Sequence, residues 1–468
     1  MKITDKKLGG KMLASGGFGC IFSPALRCHG SKNRKKNGVS KLMTSKNAKD
    51  EFAQLSIIKS ELDKIHNYKN FFLIDNFSIC KPNKLTHSDL ENFDKCSALK
   101  IDKNNINERL DDLLAINMLY GGITLGEFIV NNKSYVNLIV LNNKMVNLLL
   151  HGILPMNKMN IYHNDVKDSN ILVDIGDDIG GDIGGETLDE NEKNITINNT
   201  RVRIIDWSLT IKYKPFENQP FPKKWRNRPL QFNIPFSVIL FTDLFYDSYS
   251  GFLRETYSIP NKDQLYIFVR DYLYSWIKQR GWGHYKYINK IMYMLFIHDI
   301  DDNVSNLEIE DQKVYIQQNY TDKYIINYLV EILIHFTSYK SDGTLNMRNY
   351  LDSVFIHIVD VWGFVSAYLP LYELFFENYD KLTNAQMILL KKLKTIFLKY
   401  LYEPRIESIN IESLVNSLIN MNLIMDFEII NQRKTNKLSS FRKKYKKTTS
   451  NKTTSKKFTM KNKKFIRQ

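Results

Sequence analysis

Twelve residues at 162–173 restrict what this chain can become more than any other part of it. Asp165, Lys167 and Asn170 fall within six positions, and the apolar Ile171, Leu172 and Val173 follow at once to anchor the polar loop in a core. Phosphoryl transfer asks for such a set. It needs a carboxylate at the acceptor hydroxyl, a cation on the transferring phosphate and an amide oxygen on a metal, all close together.

A further metal ligand is expected from the turn after the next short strand. The alternating run Arg201, Val202, Arg203, Ile204, Ile205 ends on Asp206, followed by Trp207 and Ser208. Singly, each of these acids reads as a cap or turn residue; jointly, in this order and spacing, they point to a site. Upstream, Leu13, Gly16, Gly17, Phe18, Gly19 and Ile21 describe a strand–turn–strand whose glycines let backbone N–H groups approach phosphates. Taken alone that pattern is only a tight hairpin. Val39, Ser40 and Lys41 follow as a strand carrying a lysine able to hold phosphate oxygens as a point charge.

The 468 residues suffice for two or three lobes, and 43% apolar with 25% charged content is ordinary for a soluble globular chain. No apolar leader follows the polar start, and no uninterrupted apolar run is long enough for a membrane span; the nearest, 354–376, is broken by His357, Asp360 and Glu373 and reads as a buried helix. Cys20, Cys28, Cys80 and Cys96 have irregular spacings, which suggest neither a zinc site nor a disulfide framework, so an intracellular, reducing location is expected. The net charge of +16 is uneven: 15 of the 66 Lys and Arg lie in 433–468, without one acid, leaving 51 against 50 Asp and Glu elsewhere. The basicity belongs to a tail.

Along the chain, 45–65 has helical spacing, with Phe52, Leu55, Ile58, Leu62 and Ile65 at three- and four-residue steps. Short apolar runs at 71–80 and 113–119 suit strands, and 135–159 a buried helix. The Gly- and Asp-rich stretch 174–200 reads as a solvated loop, not a calcium loop. From Pro235 to about Ile430 the chain is helix-like and aromatic, with polar breaks at 299–311 and 338–343, and beyond Arg433 disorder is expected.

On these motifs the chain resembles the eukaryotic-type protein kinases over about residues 8–430. Its divergence and its Asn-, Lys- and Ile-rich composition are similar to the Ser/Thr kinases of mimivirus-like large DNA viruses. The resemblance implies an α+β, bilobal fold. Residues 1–120 would form a small β-rich N-lobe, and 121–432 a large, mainly helical C-lobe with insertions near 174–200 and 240–350. It implies ATP and Mg2+ as cofactors, and transfer of the γ-phosphate to a Ser or Thr hydroxyl of a protein substrate. Gly16, Gly17, Phe18 and Gly19 would cover ATP. Lys41 would take its α- and β-phosphates, Asp165 would be the catalytic base with Lys167 on the transferring group, and Asn170 and Asp206 would bind magnesium. The partner of Lys41 is Glu51 or Glu61; Glu51 is preferred because Glu61 lies too close to the end of its helix. Asn117 and Leu119 would belong to the hinge with Ile116 as gatekeeper, Ile21 and Leu172 would sandwich the base, and Leu13 would cover it. Asp360 would hold the catalytic loop from behind.

The chain departs from the family pattern at Ala14, at Asn164 in place of the usual arginine, and at Trp207 and Ser208. No Ala-Pro-Glu is present; Asn233, Ile234 and Pro235 stand nearest. The loss of the arginine argues against switching by activation-loop phosphorylation. A pseudokinase scaffold or packaged virion component, and a small-molecule kinase, remain open alternatives, as does a host-cytoplasmic or virion location. The tail offers a polyanion or acidic partner a salt-sensitive surface, or is simply solubilising.

Overall fold

The computed structural model describes residues 11–34, 37–175, 199–217, 220–256, 259–337 and 347–452, with side chains to 434 in the last span. The expected loop at 174–200 and the break at 338–343 fall largely or wholly outside these residues.

Short, mostly apolar runs in the first third build a sheet buried on both faces at its centre. Strands β1 (Lys11–Ser15), β2 (Gly19–Ser23), β3 (Gly38–Thr44), β4 (Ser78–Cys80) and β5 (Leu113–Leu119) form one antiparallel sheet in the order β1-β2-β3-β5-β4. Helix α1 (Ser45–Leu62) follows β3 directly. The Thr44 side chain accepts a bond from the Asn47 N–H at its start, and Ala48, Leu55, Ile58 and Leu62 bury one face. Of the run at 71–80 only the end is strand. Around Phe72, which bridges to Ile204, the Phe71 carbonyl accepts from the Ile204 N–H and the Leu73 N–H donates to the Ile204 carbonyl, tying this region to the C-terminal part.

The outer face of the sheet is covered. Leu85, Phe93, Cys96, Leu99 and Ile106, from the 81–112 connection between β4 and β5, pack with Met12, Cys20, Phe22, Leu42 and Ala115 into a second hydrophobic core. Here the structure corrects the expectation for the cysteines. Cys20 is bonded to Cys96 and Cys28 to Cys80, with Cα–Cα distances of 5.7 Å in both pairs. Their irregular spacing conceals the pairing because the 81–112 segment folds back over β2, bringing together residues 76 and 52 apart in sequence.

From Ile123 on, strands are short: β6 (Ile123–Thr124), β7 (Ile161–Tyr162), β8 (Ile171–Asp174), β9 (Arg201–Ile204) and β10 (Ile211–Lys212), paired as β6-β8-β9 and β10-β7. Helices make the rest. A capping box of Thr124 and Glu127 starts α2 (Leu125–Asn131). The expected long helix becomes α3 (Tyr135–Leu148) and α4 (Leu154–Lys158), joined through a π-turn at Leu149–Ile153. Helices at Asp243–Thr256, Lys262–Arg280, Gly283–Phe296, Ile309–Ile316 and Asp322–Phe336 fill the 240–350 insertion. Among its described aromatic residues all but Tyr246, Trp282 and Tyr287 are buried or half-buried, with Phe245, Tyr249, Trp276 and Tyr285 in the core, as their helical spacing implies. Helix Ile356–Ser366 runs through the centre with all but one of its residues buried. Two helical stretches, Tyr135–Lys158 and Met347–Phe376, are long and apolar enough to cross a membrane; the second is 94% buried inside the fold. The last helix, Ile411–Lys452, packs Leu414, Leu418, Met421 and Met425 inward and continues past the expected boundary at 433.

The architecture is thus a sheet-based N-terminal lobe on a mainly helical C-terminal lobe, the bilobal kinase-like arrangement.

Candidate active site

Strand register decides which side chains of the N-terminal lobe face the other lobe. Ile21 pairs with Lys41, and Lys41 with Ile116, so the three stand side by side on one face of β2, β3 and β5. Lys41 is held by α1: its Nζ lies 2.8 Å from both Oε1 and Oε2 of Glu51 and 3.8 Å from Asp206 Oδ1. Glu61 points elsewhere, pairing with Lys64 and Lys212. Burial pushes the Glu51 carboxyl above its ordinary range in spite of the Lys41 ammonium.

The β1–β2 turn closes through a 2.9 Å bond from the Gly16 N–H to the Gly19 carbonyl. At Gly19 a Cβ would come within 2.6 Å of the Leu42 carbonyl oxygen, so only glycine lets β2 lie this close to β3. Leu13 and Phe18 are about half exposed, at 56% and 50%, and Gly17 has open space around it. At the hinge, the Asn117 side chain faces away from Lys41. It accepts from the Ser40 hydroxyl and its Nδ2 contacts Cys28 Sγ at 3.1 Å, so toward the cleft Asn117 offers only main chain. Leu119 is half-buried, and Leu172 packs beneath the following Gly121, where an added Cβ would meet Leu172 Cδ1 at 2.7 Å.

The loop at 163–170 is suspended from behind. Asp360 Oδ1 accepts from the Asn164 N–H at 2.7 Å, and Oδ2 from the His163 N–H at 2.8 Å and Asn157 Nδ2 at 2.7 Å. Asn164 adopts φ 70°, which turns the chain sharply before Asp165. His163 Nε2 donates to the Ile205 carbonyl at 3.0 Å while Nδ1 accepts from the Asp165 N–H at 3.3 Å, linking the loop to the strand that ends in Asp206.

On this frame the polar groups converge. Lys167 Nζ and Asn170 Nδ2 each lie 2.9 Å from Asp165 Oδ2, and Asn170 Nδ2 also donates to the Asp165 carbonyl at 2.8 Å. The Asn170 amide nitrogen is therefore committed, and Oδ1 is the atom it can offer a cation. The Ile205 N–H donates to the Asn170 carbonyl at 2.9 Å, seating Asp206 beside Asn170. Enclosure alone would raise the Asp206 carboxyl, but Lys41, the Ser208 bonds and His163 hold it below its ordinary range. Among the described residues no cluster of three or more His, Cys, Asp or Glu forms a closed metal cage.

Sequence reasoning missed several contributors. Trp225 Nε1 donates to Asn164 Oδ1, Arg228 NH1 to the Asn164 carbonyl at 3.0 Å, and Asn233 Nδ2 to Asp165 Oδ1 at 3.0 Å. Gln54 on α1 reaches the Trp207 and Thr210 carbonyls at 2.8 and 3.2 Å. The one available signal was the basic cluster at 223–228, close before Pro235.

The fold is of the bilobal, kinase-like class. No family model and no curated protein matches the sequence. Among solved structures, the crystal structure of the PF14_0431 kinase domain is similar at 13% identity, covering 74% of this chain and 94% of that one, with a TM-score of 0.28.

Proposed function

We propose that this chain is an ATP- and magnesium-dependent protein kinase that transfers a γ-phosphate to Ser or Thr hydroxyls. The observation that carries the reading is the convergence of Asp165, Lys167 and Asn170 from one loop with Asp206 from the next strand, beneath the Lys41–Glu51 pair. A hard, two-residue oxygen donor set of one amide and one carboxylate suits magnesium, which keeps water and phosphate oxygens as its other ligands. Bound there, the metal would offset charge on the phosphate oxygens.

The residues then divide the work. Lys41, fixed by Glu51, would hold the inner phosphates, and the Gly16–Gly19 turn would close over them. Ile21 and Leu172 would clamp the base beside the hinge at Asn117–Tyr120, with Ile116 as gatekeeper. Asp165 would accept the proton of the acceptor hydroxyl and orient it, while Lys167 would neutralise charge developing on the transferred group. Lysine two positions after the catalytic aspartate favours Ser/Thr acceptors.

The test is a phosphotransfer assay with purified protein, comparing wild type with Asp165→Asn on a generic basic protein and on a panel of sugars and choline. Magnesium-dependent transfer to protein, abolished by the substitution, is expected. Transfer only to a small molecule, or equal turnover by both proteins, would overturn the reading.

A further inference from the structure

The sequence from Asp206 to Pro235 contains only three hydroxyl side chains: Ser208, Thr210 and Tyr213. Two of them are sealed. Thr210 is 5% exposed and Tyr213 1%, the Tyr213 hydroxyl donating to Asp352 Oδ1 at 2.5 Å and accepting from Arg348 at 2.6 Å. The third stands next to Asp206, on which its N–H folds back. A phosphate there would add like charge beside the proposed metal ligand, a disruptive placement.

What holds the segment is instead its own basic side chains. Lys224 Nζ donates to the Ser208 and Thr210 carbonyls at 2.7 and 3.0 Å and to Gln54 Oε1 on α1 at 3.1 Å, so one ammonium joins the segment to the helix that carries Glu51. Four residues on, Arg228 is only 6% exposed. It lies with NH1 on the Asn164 carbonyl and NH2 on Gln231 Oε1 at 2.8 Å, with NH2 also 3.5 Å from Asp165 Oδ1. Trp225 and Asn233 complete the clasp on Asn164 and Asp165. Buried charges persist only where they are paired and hydrogen-bonded; Arg228 meets that condition with the catalytic loop and Gln231, while the half-buried Lys224 is hydrogen-bonded to α1 and to the carbonyls of the segment itself.

We propose that Lys224 and Arg228 lock this segment in its working position, so that phosphoryl transfer requires no prior phosphorylation of it. The inference rests on the kinase reading above and adds the regulation of that site: Arg228 acts as a positioning residue for Asp165, and Lys224 for α1.

The test uses full-length protein co-expressed with a phosphatase, its lack of phosphate verified by intact mass. Transfer to a generic basic protein should begin without a lag, and preincubation with ATP and magnesium should change the rate by less than about twofold. A lag followed by a rise of about tenfold or more, tracking phosphate on Ser208, Thr210 or Tyr213, overturns the proposal. Arg228→Met and Lys224→Met should lower kcat by about 10- to 100-fold with the nucleotide KM within about threefold, and Arg228→Lys should recover part of the loss. Equal loss in kcat and nucleotide binding, with no recovery by lysine, assigns Arg228 a merely structural role and overturns its part. Hydrogen exchange over 222–234 separates the two readings. Protection in the phosphate-free protein without transfer to any acceptor would defeat the kinase reading and leave the lock; an unprotected segment in an active enzyme would defeat the lock.

Discussion

Lys41 and Glu51 form a two-pronged ion pair, with both carboxylate oxygens 2.8 Å from one ammonium and both side chains nearly buried, at 10% and 11% exposure. Asp206 is a third neighbour at 3.8 Å, and the Lys224 ammonium also acts on Glu51. The Glu51 carboxyl is nonetheless raised, because burial outweighs the pairing.

The acid limb of kcat/KM should therefore lie above the ordinary glutamate range, and Glu51→Gln should remove that limb while lowering kcat/KM by about 10- to 100-fold. The stability sign follows from linkage. A carboxyl raised in the fold contributes stability that is fully present below its unfolded value of 4.5 and lost as pH rises through the folded value. Any Tm advantage of wild type over the Gln variant should shrink as pH rises above 4.5 and through the raised folded value; a gap that widens with pH rejects this assignment.

Asp165→Asn should keep nucleotide affinity within about threefold while lowering kcat by about 10²- to 10⁴-fold, roughly 3 to 5 kcal/mol of transition-state stabilisation. Asparagine retains the shape that Lys167, Asn170 and Asn233 surround but cannot take the hydroxyl proton. Calorimetric titration with nucleotide beside steady-state turnover checks both halves.

For Asp206→Ala the expected result is loss of the magnesium response, not of the fold. The side chain is 38% exposed toward the cleft, and its removal leaves the His163–Ile205 bond untouched. Magnesium titration of activity decides it; a wild-type response would contradict the role.

The disulfides should matter to stability alone. Cys20–Cys96 closes a separation of 76 residues and Cys28–Cys80 one of 52, for which loop closure predicts about 4 kcal/mol each as an upper figure and about 2 to 4 kcal/mol is typical. Thermal melts with and without reductant should differ accordingly. An identical Tm in both, or free thiols on titration of the unreduced protein, would show that the pairs do not form.

Much of the candidate site was legible because its parts are local. Asp165, Lys167 and Asn170 share one turn, and a strand of known period delivers Asp206, so spacing alone brings them together. The Lys41 partner could be narrowed to two glutamates on one helix, and the distance to the end of that helix favoured the right one in space. The cysteine pairs were not legible, since nothing near Cys20 specifies that 81–112 returns across the sheet. Arg228 and Trp225 were missed for the same reason: nothing local specifies that the basic run folds under Asn164, and Asn233, noted only for its place before Pro235, gave no sign of its bond to Asp165.

By itself, then, the order of residues determined the lobes, the glycine turn and the four polar groups that short loops and strand periodicity set side by side. Only the tertiary structure decided which cysteines pair, what covers the sheet, and that Lys224 and Arg228 turn inward. Those outcomes depend on contacts between segments far apart in the chain, where burial and pairing of charge, not local spacing, select the partner.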